Sequence, residues 1–367
     1  MSMFNKNLPA TFLIFLFKKL LSIPEVKTKD INNPQRFLVI RQHNQFGDLL
    51  AGVSLFRAIK ETYPKSHLTV ITSTENYYGA TKNKFIDNLY VFNKSSMFNP
   101  IKLISFIKFL RQPFDVVIVP VTVSISETSN LIARISNSKI RIGPNSLDGK
   151  PNQTAFLFDR RVDIDWRKYP DSNVAEHILE IVRPFGINTK NYSSEISFDN
   201  DDVTKAKKFI ESIEFSNPSK LIGLHVGAGK PPNRWSLNKY VQLISELNAQ
   251  FDCKFYLTGT SADKEEIKYV CKNSKLKLNQ FINQPIPVVA ALISLSDLFI
   301  SNDTGIMHVA GSTSTPLIAL FGPTNPFNWA PCGKNKFFIR KSDLIDDIGV
   351  KDVIILCKHL LSKDEKN

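Results

Sequence analysis

The 367-residue chain is short of cysteine and of acidic side chains, and each shortage excludes something. Its four cysteines, Cys253, Cys271, Cys332 and Cys357, lie far apart with no C-x-x-C pair. That excludes a disulfide scaffold and reads as reduced packing thiols of a cytosolic protein, with structural zinc as the alternative. No run of about 18 uncharged apolar residues exists, which excludes a polytopic membrane protein. No short-period repeat is visible. Asp and Glu number 34 against 47 Lys and Arg, a formal net charge of +13, and the first 200 residues hold 26 basic and 17 acidic residues. The excess is therefore mostly N-terminal. Such a field favours polyanions: nucleic acid, anionic lipid head groups or phosphorylated substrates. Hydrophobic content of 43% is ordinary for a chain that buries a core, so a disordered tail protein is excluded. At about 150 residues per domain the length predicts two domains.

Residues 8–17 are an apolar run followed by Lys18 and Lys19. Ten residues are too few to span a bilayer, and the lysines stand where a signal peptide has its small-residue cleavage site. Residues 8–22 read either as a helix packed on the body or as one lying in a membrane interface. After the break at 32–34, strands and amphipathic helices alternate, as in doubly wound parallel sheets. The expected organisation is an N-terminal segment 1–34, a Rossmann-like domain 35–187, a linker 188–218, a second Rossmann-like domain 219–345, and a C-terminal helix within 346–367 that crosses back onto the first domain. Residues 144–172 carry little periodicity and read as a long functional loop or a crossing segment.

In open α/β sheets, ligands sit beyond the carboxyl ends of the strands. Three such turns carry chemistry-bearing residues. The first runs from Arg41 to Asp48, where the acid sits at a helix start, as a helix cap or as a general base for a substrate hydroxyl. The second is His225-Val-Gly227-Ala-Gly229-Lys230-Pro-Pro-Asn233-Arg234-Trp235. It fails as a P-loop, because Pro231 follows the lysine, and as a dinucleotide fingerprint, because Pro232 replaces the third glycine. Free amides and two cations remain, suited to a diphosphate or simply to a solvated loop. The third is Asn302-Asp303-Thr304-Gly305-Ile-Met-His308, where the Thr304 hydroxyl and the amides of Thr304 and Gly305 could take an anion. His308 is a site residue or a satisfied core histidine. The acid pairs Asp201-Asp202 and Asp346-Asp347 read as solvated loop or helix-start acids rather than metal ligands.

Together the three turns resemble glycosyltransferase family 9, the bacterial ADP-heptose:lipopolysaccharide heptosyltransferase type. The resemblance runs from about residue 37 to 345. It is carried most specifically by Asn302-Asp303-Thr304-Gly305-Ile-Met-His308-Val-Ala310, by Leu320-Phe321-Gly322-Pro323-Thr324-Asn325-Pro326, by Gly47-Asp48-Leu49 and by Arg234-Trp235. It implies a GT-B fold, two Rossmann-like doubly wound domains facing a central cleft, with acceptor on the first and nucleotide sugar on the second. It also implies an inverting, single-displacement transfer that requires no metal and no cofactor beyond the nucleotide-sugar co-substrate, ADP-heptose.

Carried over by position, Asp48 is the general base. Asp303, Thr304 and Gly305 form the turn that contacts the donor diphosphate, and Asp263 contacts its ribose. Gly227, Gly229, Lys230, Arg234 and His308 are the further candidates for the donor, and Arg41, His43 and Gln45 the candidates for the acceptor. One departure stands out: family members often have Lys before the Arg-Trp pair, where this chain has Asn233, and Lys230 is the candidate to replace its charge. The implied partners are a nucleotide sugar and a lipopolysaccharide-core or related glycolipid acceptor, with peripheral contact at the inner face of the cytoplasmic membrane. The alternatives are a nucleotide-sugar epimerase or hydrolysing isomerase on the same plan, or a family member with a different donor or acceptor. A nucleic-acid-binding protein is disfavoured, since no stacking platform or helix-turn-helix signal accompanies the charge.

Overall fold

The computed structural model describes residues 18–42, 46–213 and 219–362. The chain divides into two compact units. The first comprises residues 1–44, 54–80 and 84–191, and the second residues 45–53, 81–83 and 192–367.

The first unit is built on a sheet of β1 (Arg36–Arg41), β2 (His67–Ser73), β3 (Asn88–Phe92), β4 (Phe114–Ile118), β5 (Ser138–Leu147), β6 (Lys150–Pro151) and β7 (Arg160–Ile164). The order is β3-β2-β1-β4-β5-β6, with β7 also pairing β5. All pairs are parallel except β5–β6. Strand β1 is apolar throughout its centre, Phe37 to Ile40, and all four residues are buried, as a strand covered on both faces requires. Residues 144–172 are therefore not one long loop. Strands β6 and β7 extend the sheet there, and a bulge between Pro144 and Ser146 accommodates the sparse periodicity.

The second unit holds a six-stranded, wholly parallel sheet: β8 (Lys220–His225), β9 (Cys253–Gly259), β10 (Asn279–Ile282), β11 (Leu298–Asn302), β12 (Leu317–Leu320) and β13 (Lys336–Ile339), in the order β10-β9-β8-β11-β12-β13. Both units are thus Rossmann-like. The strand order reverses between β1 and β4 in one and between β8 and β11 in the other, so each has a topological switch point at its strand ends.

Ten helices matter below: α1 (Phe46–Ala51), α2 (Val53–Thr62), α3 (Pro100–Leu110), α4 (Glu127–Ile135), α5 (Asn200–Glu211), α6 (Leu237–Gln250), α7 (Lys264–Asn273), α8 (Ile286–Ser294), α9 (Gly305–Gly311) and α10 (Val350–Leu361). On one face of the second sheet, Tyr240, Leu243, Ile244 and Leu247 of α6 pack with Ile222 and Leu224. Val353, Ile354 and Cys357 of α10 lie in that same cluster. The C-terminal helix therefore does not cross back onto the first unit; its own apolar stripe is buried in the core of the second. On the other face α8, apolar on every side and fully buried from Pro287 to Ile293, packs with α5 and α9. Residues 200–211 are likewise a packed helix rather than linker. Its capping box at Asp199 and Asp202 is clasped by Lys82, at 2.5 and 2.8 Å.

The units also exchange chain. Helix α1 falls within the expected first domain, yet it groups with the second unit and lies against α9. Its Leu50 is fully buried in the cluster of Phe299, Met307 and Phe321. Local sequence pattern cannot reveal such an exchange, because an apolar helix face does not declare which sheet it will meet. Leu50→Ala should destabilise the second unit by about 2–5 kcal/mol, read as a lower urea midpoint, although the residue lies at position 50 of the chain.

Candidate functional site

The site in the second unit is assembled where β8 and β11 end. Asn302, the last residue of β11, is fully buried, and its carboxamide is saturated. The Nδ2 donates to the carbonyls of Val226 (3.2 Å) and Gly227 (3.0 Å). The Oδ1 accepts from the Trp235 amide (3.2 Å) and the Tyr240 hydroxyl (3.0 Å). One side chain thus ties the loop after β8 to the turn after β11 and to α6. Trp235, wholly buried, fixes the far end of that loop through Nε1 to the Ile348 carbonyl at 2.9 Å.

The next residue, Asp303, accepts from Asn233 Nδ2 at 2.9 Å. Burial raises its carboxyl above the usual range, opposed by a hydrogen bond from Thr324 and the charge of Lys230. Asn233, where the family often has lysine, therefore serves Asp303 with a neutral donor. Lys230, exposed three residues earlier, brings the cation to the same neighbourhood. Thr304 precedes α9 in extended conformation without capping it, and its buried Oγ1 has no hydrogen-bond partner. Such a group is costly to leave unsatisfied and marks a place for an absent polar atom.

Other expected contacts are placed differently from a simple diphosphate cradle. The Arg234 guanidinium pairs with Glu266 at 2.6 Å and donates to the Ala228 carbonyl at 3.2 Å. Asp263 closes a capping box, its Oδ2 accepting from the Thr260 amide (2.8 Å) and hydroxyl (3.0 Å). Its Oδ1 lies so close to Gly227 that a Cβ there would stand 2.0 Å away. Gly227 is therefore required for a close approach between the loops after β8 and β9, while Gly229 faces open space. His225 is buried, with Nδ1 3.1 Å from both Thr258 oxygens, and burial pushes its pKa down.

Helix α1 brings the first turn into this assembly. Gly47 lies on the His308 ring, where a Cβ would be 2.6 Å from Cδ2, and Phe46 packs on Gly305. Asp48, buried in the first turn of α1, is thereby held beside α9 rather than left on a loose loop. The structure thus gathers Asp48, Gly227, Asp303, Thr304, Gly305 and His308 onto elements bound to the end of one sheet. Arg41 belongs to the first unit, buried and donating to Thr122 Oγ1 at 3.3 Å. His43 and Gln45 lie outside the described residues.

Sequence reasoning missed a cavity of 680 Å³ in the first unit, beyond the ends of β1, β2 and β3. Gln42, Ser73, Glu75, Lys94 and Ser126 are among its lining residues, and Gln42 is held there by Ser126 and Ser129 at 2.9 and 3.2 Å. The signal was positional: these residues lie at or just after the ends of β1, β2 and β3, or at the start of α4, in no motif. Two Asp-x-Asp spacings, Asp163-Ile-Asp165 and Asp199-Asn-Asp201, were also passed over. Asp163 accepts from Asn145, Asp165 pairs with Arg167, Asp199 caps α5 and Asp201 pairs with Lys205. Among the described residues no three His, Cys, Asp or Glu side chains are gathered as metal ligands would be.

The two parallel-sheet units have the fold of GT-B glycosyltransferases, and the family match makes the chain a glycosyltransferase. The family model of glycosyltransferase family 9 (heptosyltransferase) matches residues 103–346, and the chain belongs to that family. It is 27% identical over 312 residues to a putative glycosyltransferase of Haemophilus influenzae, covering 81% of this chain and 86% of the relative. It is 23% identical over 353 residues to lipopolysaccharide heptosyltransferase 3 of Escherichia coli K12, covering 87% and 96%. The solved structure of E. coli ADP-heptose lps heptosyltransferase II superposes with a TM-score of 0.74 at 19% identity, covering 90% of this chain and 100% of the other.

Two outcomes follow from the geometry. Asn302→Ala strands two carbonyls and an amide in the core, and should cost about 3 kcal/mol or more in a denaturant melt. Burial holds His308 at about 4, so its ring is neutral at neutral pH. The unfolded chain takes up that proton near pH 6.5, so the native state's advantage is whole above that pH. It is lost as pH falls toward 4, by about 3 kcal/mol. His225 adds in the same sense. In urea melts across pH 4–7, His308→Gln should flatten this slope.

Proposed function

We propose that the protein transfers heptose from ADP-heptose to a lipopolysaccharide-core or related glycolipid acceptor, with inversion and with Asp48 as general base. The names of the family and of its relatives support the donor and the acceptor class. The observation that carries the chemistry is the junction of α1 with α9: Gly47 lies on the His308 ring and Phe46 on Gly305, so the buried Asp48 sits on a helix packed against the one that Thr304 precedes.

In this reading the acceptor oxygen attacks the anomeric carbon while its proton passes to the Asp48 carboxylate. The bond from that carbon to the diphosphate oxygen breaks, and its electron pair leaves with ADP. The Thr304 hydroxyl, the amides of Thr304 and Gly305 and the Lys230 ammonium stabilise the charge that develops there. Lys230 takes the place of the lysine that family members often carry where this chain has Asn233, while Asn233 steadies Asp303. Asp263 offers its Oδ1 to the ribose, its Oδ2 being engaged by the cap. The polar cavity of the first unit, with Arg41 among the residues beside it in sequence, is where the acceptor sugars bind. The enzyme works at the inner face of the cytoplasmic membrane. No helix among the described residues is long and apolar enough to cross one. The relatives' names favour transfer over epimerisation.

Incubation with ADP-heptose and a set of truncated lipopolysaccharide cores should add one heptose mass to an acceptor. Nucleotide-sugar turnover with no acceptor modified would select the epimerase reading instead. Asp48→Asn should lower kcat by roughly 10²–10⁴ while leaving ADP binding intact. A loss below about tenfold would remove the base from Asp48.

A further inference from the structure

Helix α3 of the first unit is apolar on two sides, and only one is covered. Asn99 starts it, its side chain accepting from the amides of Ile101 and Lys102, with Pro100 in the first turn. Phe106, Phe109 and Leu110 bury one side in the core with Phe92 and Phe114, Phe109 stacking on Tyr90 at 4.2 Å. The other side carries Ile101, 78% exposed, and Ile104, 66% exposed, with Ile107 also outward. The 3₁₀ turn before it (Ser95–Phe98) adds Phe98, 92% exposed. Scattered apolar surface residues are ordinary, but a ridge of large ones on a rigid, well-capped helix marks an interaction surface.

Its surroundings select the partner. From Asn88 to Phe114 the sequence holds Lys94, Lys102, Lys108 and Arg111 and no acidic residue, and all four are exposed. Apolar side chains interleaved with cations on a surface helix suit the boundary between lipid head groups and acyl chains, where the lysines and arginine meet anionic head groups. A protein partner would need a matching acidic, apolar groove; an anionic bilayer supplies both properties in one plane. Lys94 and Ser95, which open the 3₁₀ turn, also line the 680 Å³ polar cavity at the strand ends.

We infer that the face of α3 and its preceding turn docks on an anionic lipid bilayer and sets the mouth of the neighbouring cavity at the membrane surface, so that a lipid-anchored glycan enters it without leaving the bilayer. The second clause rests on the proposed function; the first does not. It moves the membrane contact from residues 8–22, whose apolar part lies outside the described residues, to a surface held by the fold.

The full-length chain should co-sediment with vesicles of phosphatidylglycerol and phosphatidylcholine, more weakly as salt rises, and not with phosphatidylcholine alone. Replacing Phe98, Ile101 and Ile104 together by serine should lower that partitioning at least about tenfold. Lys102→Glu with Lys108→Glu, which leaves the apolar ridge intact, should lose the anionic vesicles as well. Ile104→Trp should gain fluorescence quenching by brominated lipid beyond that of the native tryptophans. Undiminished binding by the serine variant, or no added quenching, overturns the inference and returns the contact to the N-terminal segment. Failure of the unaltered protein to bind vesicles overturns it too, as does a dimer that the serine variant converts to monomer, which would make the ridge a contact between copies. These readouts use neither substrate, so they stand apart from the transfer reaction. The second clause predicts that the serine variant keeps transfer to a delipidated core but loses it on the intact glycolipid in vesicles; equal loss on both overturns that clause.

Discussion

The Asn302 carboxamide is the interaction on which the site in the second unit depends. A buried amide offers two donors and two acceptor lone pairs, and here each end meets two partners, on the loop after β8, on Trp235 and on Tyr240. A loop of Gly227, Ala228, Gly229 and two prolines has little apolar surface to hold it by burial. Saturated polar contacts in a low-dielectric core do so instead, because each is expensive to break there. Asp303 and Thr304 follow in the chain and inherit that fixed position.

A second constraint is the placement of α1. Gly47 admits the His308 ring at a distance that any side chain would forbid, and Leu50 anchors the other end of the helix in the core under α9. The six residues of this helix are too few to be stable alone, so its position is set by what it packs on. His308 is buried, with Gly47 against its ring. Its depressed basicity records how dry that contact is.

Much of the architecture was legible. Buried parallel strands write themselves as uninterrupted apolar runs, and β1, β8 and β11 are such runs. The turns after them were found by the same logic, since a doubly wound sheet presents its loops where strands end. The path of the C-terminal helix was misjudged, because its stripe of Val353, Ile354, Cys357 and Leu360 says that it packs without saying on what. Residues 144–172 hid the end of β5 and two short strands, and a bulge at the end of β5 breaks the alternation a reader looks for. The lining of the first unit's cavity was illegible, since Gln42, Ser73 and Lys94 share nothing except their position at the ends of different strands.

Residue order by itself determined the class of fold, the chemistry-bearing turns and the family to which they belong, because those rest on local patterns of apolarity, glycine and charge. Tertiary structure alone decided which partner each polar group received. It gave Arg234 to Glu266, the Asp263 Oδ2 to a helix cap, Asn233 to Asp303 and helix α1 to the second unit. Hydrogen bonds and close packing are settled by distances of a few ångströms between residues far apart in the chain. No one-dimensional pattern carries those distances.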